Sequence, residues 1–169
     1  MSTSTNVLGT PTALTLDVSS LATSSTLLAG VESVEVAGSD TFDFLINVDP
    51  ITGHASTAPV IGERIEIYVW GADTSLATTP WDVLDGTSSA ETFTHAAARD
   101  AMCLVASPTV TVATAALTYP VLPFSIARCF GGIVPDFWGL FVTHNHTGAL
   151  AASQSSLFSY QTVTPTSTG

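Results

Sequence analysis

Lysine is absent from this chain of 169 residues, and arginine occurs three times, at Arg64, Arg99 and Arg128. Against 14 acidic residues this leaves a formal net charge of −11. A nucleic-acid binder needs cations to displace counterions from phosphates, so direct DNA or RNA binding is not expected. Docking on an anionic membrane face is excluded on the same ground. Charged residues of both signs make up only 10% of the chain, far below the roughly 25% of ordinary soluble domains. Ser, Thr and Ala must therefore clothe much of the surface. Cysteine is nearly absent too: Cys103 and Cys129 are the only two. They can pair only if the fold brings them together. The first residues, MSTSTNVLGTPT, carry no basic segment followed by an apolar one, so no secretory signal is expected and two buried free thiols are the reading. No apolar run reaches the ~18 residues needed to span a bilayer. Catalytic motifs are missing: there is no GxSxG elbow, no GxxxxGK[ST] loop, no HExxH and no CxxC. Glu63 and Glu66 sit three apart on a strand and point to opposite faces, so they cannot act as a carboxylate pair. No enzymatic activity, cofactor or small-molecule substrate is expected.

Apolar residues are nonetheless 46% of the sequence, enough for one domain with a real core. They are densest between Tyr119 and Thr147. Pro123 suits a first helical turn, and Ile126 and Phe130 would share a helix face. Gly131-Gly132 ends that helix, because glycine enters the left-handed region without a Cβ penalty. Trp138, Leu140 and Val142 then alternate as the inward face of a strand, with Phe137 and Phe141 left as candidates for a partner surface.

Elsewhere the pattern is short strands and turns. Leu14, Leu16 and Val18 alternate; so do Val34 and Val36, then Phe42, Phe44, Ile46 and Val48. A turn at 38–40 separates the last two groups. The cleanest strand is Arg64–Trp70, with Ile65, Ile67 and Val69 inward. Arg64, Glu66, Tyr68 and Trp70 lie outward, with Arg64 and Glu66 as an exposed ion pair of little worth. Residues 49–62 and 71–99 read as loops, the second broken by a helical turn that Thr94 would cap. Strands at 102–106, 110–113 and 157–164 complete the count. Composition poor in helix formers and rich in Thr and Val agrees. The expectation is an all-β fold, an antiparallel β-sandwich or jelly roll of about eight to nine strands, with one short helix near 123–130. Residues 1–13 would form an extended arm, 14–164 a single domain, and 165–169 a polar tail.

Few residues nominate a site. Tyr68 and Trp70, placed on an outer face, need cover or a partner. Trp81 and Trp70 could stack on sugar rings, although burial or subunit contact serves a tryptophan equally well. His144 and His146 share a strand face at a spacing that can hold zinc or copper, but no third ligand is evident and no metal is expected. Asp82, Asp85 and Glu91 could offer oxygens to calcium, yet match no EF-hand and read equally as a solvated turn. Asn145-His146-Thr147 matches a glycosylation sequon that has no secretory route to use it.

The segments RIEIYVWG, DVLDGTSSAETFT and SLATSSTLLAGVESVEV, and above all YPVLPFSIARCFGGIVPDFWGLFVTHNHTGAL, resemble a family of small virion structural proteins of tailed bacteriophages. The likeness covers most of residues 14–164, and FGGIVPDFWGLFVTHN is its specific part. It implies a capsid decoration, or cement, protein: made in the host cytoplasm and carried in many copies on the outer surface of the head. Its partners would be the major capsid protein and copies of itself, as dimers or trimers. An acidic protein suits the outside of a shell that holds DNA. The resemblance carries no catalytic residues. The alternative is a tail or adsorption component whose jelly-roll module binds glycan or protein. The candidate interface is Tyr68, Trp70, Trp81, Phe137 and Phe141.

Overall fold

The computed structural model describes residues 3–38 and 41–168. Within them the chain is an all-β sandwich of antiparallel sheets with two short helices. The first sheet runs β1 (Thr3–Leu8), β13 (Phe158–Thr168), β5 (Asp43–Val48) and β11 (Phe124–Ser125), with β2 (Thr12–Ala13) also on β13. The second runs β8 (Ala90–Thr92), β3 (Ala29–Glu32), β12 (Phe137–His144), β7 (Ile65–Ala72) and β9 (Cys103–Ala106), with β4 (Val36–Ala37) also on β12. A separate two-stranded ladder joins β6 (Ile51–Thr52) to β10 (Thr118–Tyr119). The helices are α1 (Ala96–Asp100) and α2 (Ile126–Cys129).

The β7–β12 pair is the spine. Its register is unbroken from Phe137 opposite Ala72 to His144 opposite Ile65. Period-two alternation puts Ile65, Ile67 and Val69 on one face with Trp138, Leu140 and Val142. This face meets Phe44, Ile46, Val48 and Phe158 from the first sheet, and all ten are buried in one apolar cluster. Trp138 packs 5.1 Å from Phe44 and 5.7 Å from Tyr160, ring centre to ring centre. Leu14, Leu16 and Val18 reach the same core with at most 3% exposure. Their alternation is as the sequence indicates, but this stretch is extended chain outside the named strands.

The helix at 126–129 starts later than Pro123 suggests, because Phe124 and Ser125 first pair with Ile46 and Leu45 as β11. Ser125 then caps it, accepting from the Arg128 N–H at 3.1 Å. The Asp43 carboxylate accepts from the Ser125 hydroxyl at 2.6 Å and from the Ala127 N–H at 2.8 Å, fixing the helix to β5. Gly131 and Gly132 follow at φ +70° and +95°, the left-handed exit that glycine allows. The helical turn α1 is preceded by His95, not Thr94, and has no side-chain cap.

The ends differ from expectation. Residues 165–168 are not a loose tail but the end of β13, paired with residues 3–6 of β1. Of the expected arm and tail, residues 1–2 and 169 lie outside the described residues, as do positions 39 and 40 of the expected turn.

Candidate interaction surface

The outer face of the spine is covered by the chain itself. Residues 73–102 fold over it and supply Leu76, Leu84, Phe93 and Met102 to a second buried cluster with Tyr68, Trp70 and Phe141. Tyr68 is 4% exposed, Trp70 1% and Phe141 0%. These three are therefore core residues and offer nothing to a partner, which corrects the expected interface. Loop-like sequence hid the cover, since its buried residues follow no strand or helix period. Phe93 meets Phe141 edge-on at 5.0 Å. The Trp70 indole lies over Gly139, where a Cβ would stand 2.4 Å from its ring, so only glycine fits opposite it. Phe137 is half-buried at the start of β12, and Trp81 keeps 38% of its surface in the open. Trp81 and Trp70 line one groove of about 420 Å³ with Leu76, Pro80, Met102 and Phe130.

Buried and half-buried carboxylates hold the cover down. Glu32, fully buried on β3, accepts from the Asp85 and Gly86 N–H groups, both at 3.1 Å. Glu35 accepts from the Leu76 N–H at 2.9 Å and from the Ser75 hydroxyl. Glu66 is buried rather than exposed: it takes the Tyr68 hydroxyl at 2.6 Å and the Arg64 guanidinium at 2.5 Å, while Arg64 itself remains partly open. The expected surface ion pair is thus one end of a buried chain. Arg99 lies over the Tyr68 ring at 5.8 Å and donates to the Thr26 and Leu27 carbonyls, closing the cover's far end.

Of the acidic residues that the sequence singles out, Asp85 and Glu91 do come together. Their third companion is Glu32 rather than Asp82; the carboxylate oxygens lie within 4.8 Å of one another. Hard oxygen donors in this number suit a cation such as calcium or magnesium. Each carboxylate already accepts from the chain: Asp85 from the Thr87 N–H at 3.0 Å, Glu91 from the Ser89 hydroxyl at 2.5 Å, Glu32 as above. Burial, ahead of its acidic neighbours, raises the Glu32 carboxyl to about 8.

His144 and His146 are both buried. The His144 Nε2 donates to the Leu21 carbonyl at 2.8 Å and its Nδ1 accepts from the His146 N–H at 3.2 Å, so both nitrogens are used by the backbone. That leaves His144 no lone pair for a metal. His146 stacks at 4.9 Å on Tyr119, and neither its ring nitrogens nor the Tyr119 hydroxyl has a hydrogen-bond partner. Burial, then the His144 ring, lowers His146 to about 4.

The surface that does stand open lies elsewhere. Beyond Val163, β13 loses β5 and keeps only β1, giving a two-stranded ribbon. Thr5, Asn6, Val7 and Leu8 on one strand and Thr164, Pro165 and Thr166 on the other are all exposed. Successive strand residues point to opposite sides, so over residues 5–8 and 164–166 the ribbon is bare on both faces. Val7 and Leu8 are apolar and about half exposed, at 47% and 51%. Leu122 and Ile133 are the most exposed large apolar side chains described, at 84% and 73%. Both lie in loop segments flanked by prolines or glycines, where alternation gives no warning. Among the described residues, no helix is long and apolar enough to cross a membrane. No protein-family model, curated protein or solved structure matches this chain.

Proposed function

We propose that this protein is a non-enzymatic structural component of a tailed-phage particle, a decoration or cement protein held in many copies on the outside of the head. The observation that carries the reading is the β1–β13 ribbon. A two-stranded ribbon with neither face covered is at the margin of stability in water, and this one carries exposed Val7 and Leu8. Seating it on the major capsid protein or on a second copy supplies the missing cover. The remaining surface is acidic and poor in cations, which suits a protein outside a DNA-filled shell. Many weak contacts repeated over a lattice add up to firm attachment. The resemblance of residues 119–150 to virion proteins points the same way. Quantitative mass spectrometry of gradient-purified particles tests the reading. The expected result is a copy number comparable to that of the major capsid protein; a chain confined to the soluble lysate would overturn it.

A second reading, a tail or adsorption component, draws on the groove that the half-open Trp81 lines with Leu76, Pro80 and Met102. A half-open indole beside apolar walls is a stacking platform for a sugar ring. A few copies per particle, together with glycan binding lost in Trp81→Ala, would favour it over the first.

A further inference from the structure

The two cysteines are far apart in sequence and belong to opposite sheets. Cys103 opens β9, the edge strand of the second sheet, opposite Val69. Cys129 ends α2, which Asp43 ties to the first sheet. Both side chains pack against the inter-sheet core and both are half-buried. They line one open groove of about 250 Å³ with Phe124, Ser125 and Arg128. The Cys129 thiol donates to the Ser125 carbonyl at 3.7 Å, and the Cys103 sulfur is near enough to help push it upward. Nothing in the proposed particle role requires this arrangement. β9 and β11, which leads into α2, are terminal strands of their two sheets, and both line this groove.

We propose that Cys103 and Cys129 form a reversible disulfide clasp across this groove, made by exchange with a low-molecular-weight disulfide such as oxidised glutathione. The Cys103 thiolate attacks one glutathione sulfur, the glutathione S–S bond breaks, and one glutathione thiolate leaves. The Cys129 thiolate then attacks the Cys103 sulfur of the mixed disulfide and expels the second glutathione. The two protons released by the cysteines are taken up by the two glutathione thiolates. Two electrons pass from the protein to glutathione. Cys129 takes the resolving role because burial, and next the Cys103 sulfur, push its thiol upward, which slows its own attack on a free disulfide. The open groove that both cysteines line, with Arg128 also on its wall, gives the incoming disulfide access.

The bond would close a loop of about 25 residues, which in the chain-entropy picture raises the melting temperature by roughly 5–10 °C for a domain of this size. The experiment equilibrates the purified full chain in reduced and oxidised glutathione at graded ratios, followed by intact mass, non-reducing peptide mapping and thermal melting. The expected result is a monomer lighter by two hydrogens, a linked Cys103–Cys129 peptide, and a higher melting temperature that dithiothreitol reverses. Cys129→Ser should retain glutathione on Cys103, Cys103→Ser should take up little, and neither should show the gain. The peptide map of the unaltered chain stands even if a variant folds poorly. Stable glutathione adducts on the unaltered chain, linkage between two chains, or a linked monomer that melts lower would each overturn the clasp.

Discussion

The two faces of the β7–β12 pair are buried equally and by different means. One face meets a second sheet, and its Ile65, Ile67, Val69, Leu140 and Val142 are pure hydrocarbon. The other meets the irregular segment 73–102, and there Tyr68, Trp70 and Phe141 share the space with Glu66 and Thr143. Sheet-on-sheet packing needs only shape and apolar area. A cover with little regular structure must also anchor its own backbone, and Glu32 and Glu35 do this by accepting its N–H groups. The lesson is that alternation along a strand reports chemistry rather than exposure. A face that mixes aromatics with carboxylates can be as dry as one of valine and isoleucine: the polar atoms of Glu66, Tyr68 and Thr143 find partners there, while the Trp70 indole N–H is buried without one.

Adjacent substitutions on β12 should separate the two faces. Leu140→Ala and Phe141→Ala should each cost about 3–5 kcal/mol in denaturant melts, the usual range for large buried side chains. Their hydrogen-exchange patterns should differ. Leu140→Ala should lower protection across both sheets together. Phe141→Ala should release the amides of residues 73–102 first, because the cover has little ladder of its own.

A pH titration sharpens the contrast, since the carboxylate anchor belongs to the covered face alone. Glu32 titrates near 8 in the fold against an ordinary 4.5. Its contribution is therefore complete below pH 4.5 and is lost as pH rises towards 8, up to roughly 3 kcal/mol. Glu32→Gln should flatten the decline of the denaturation midpoint between pH 6.5 and 8. His146 works in the opposite sense. It titrates near 4 in the fold against an ordinary 6.5, so its contribution is complete above pH 6.5 and is lost as pH falls through 4, about 2 kcal/mol. His146→Gln should remove that acid-side loss. The two windows overlap from pH 4.5 to 6.5, where the opposing slopes offset each other, so the unaltered chain should be most stable across that range.

The smallest effect on stability is expected at the ribbon. Val7→Glu with Leu8→Glu should move the melting midpoint by under about 0.5 kcal/mol, as for exposed sites in general. The same pair should abolish attachment to particles in a co-sedimentation assay if the ribbon is the contact.

Where the physics is local, the sequence was readable. The Ile65–Ile67–Val69 and Trp138–Leu140–Val142 alternations and the Gly131-Gly132 helix end are all where their residue types put them. What stayed hidden depends on distant partners. Gly30 reads as a turn signal but lies within β3, where the Phe141 ring crosses it and a Cβ would stand 2.6 Å from that ring. Glu32 reads as an ordinary surface acid until Asp85 and Gly86 arrive from the cover. Tyr68 and Trp70 look outward until Leu84 and Phe93 close over them. Residues 165–168 look like a tail because nothing in their composition reveals that 3–6 will pair with them. As for the candidate site, Trp81 could be picked as an open aromatic, while the bare ribbon, a property of strand pairing alone, could not.

The most direct test of the account is a reconstruction of the particle at side-chain resolution. The account predicts that residues 5–8 and 164–166 are covered by a capsid or neighbouring decoration subunit while residues 73–102 keep their place over Tyr68, Trp70 and Phe141. A ribbon left bare in solvent, with the cover displaced and those three aromatics seated on the neighbour instead, would contradict it.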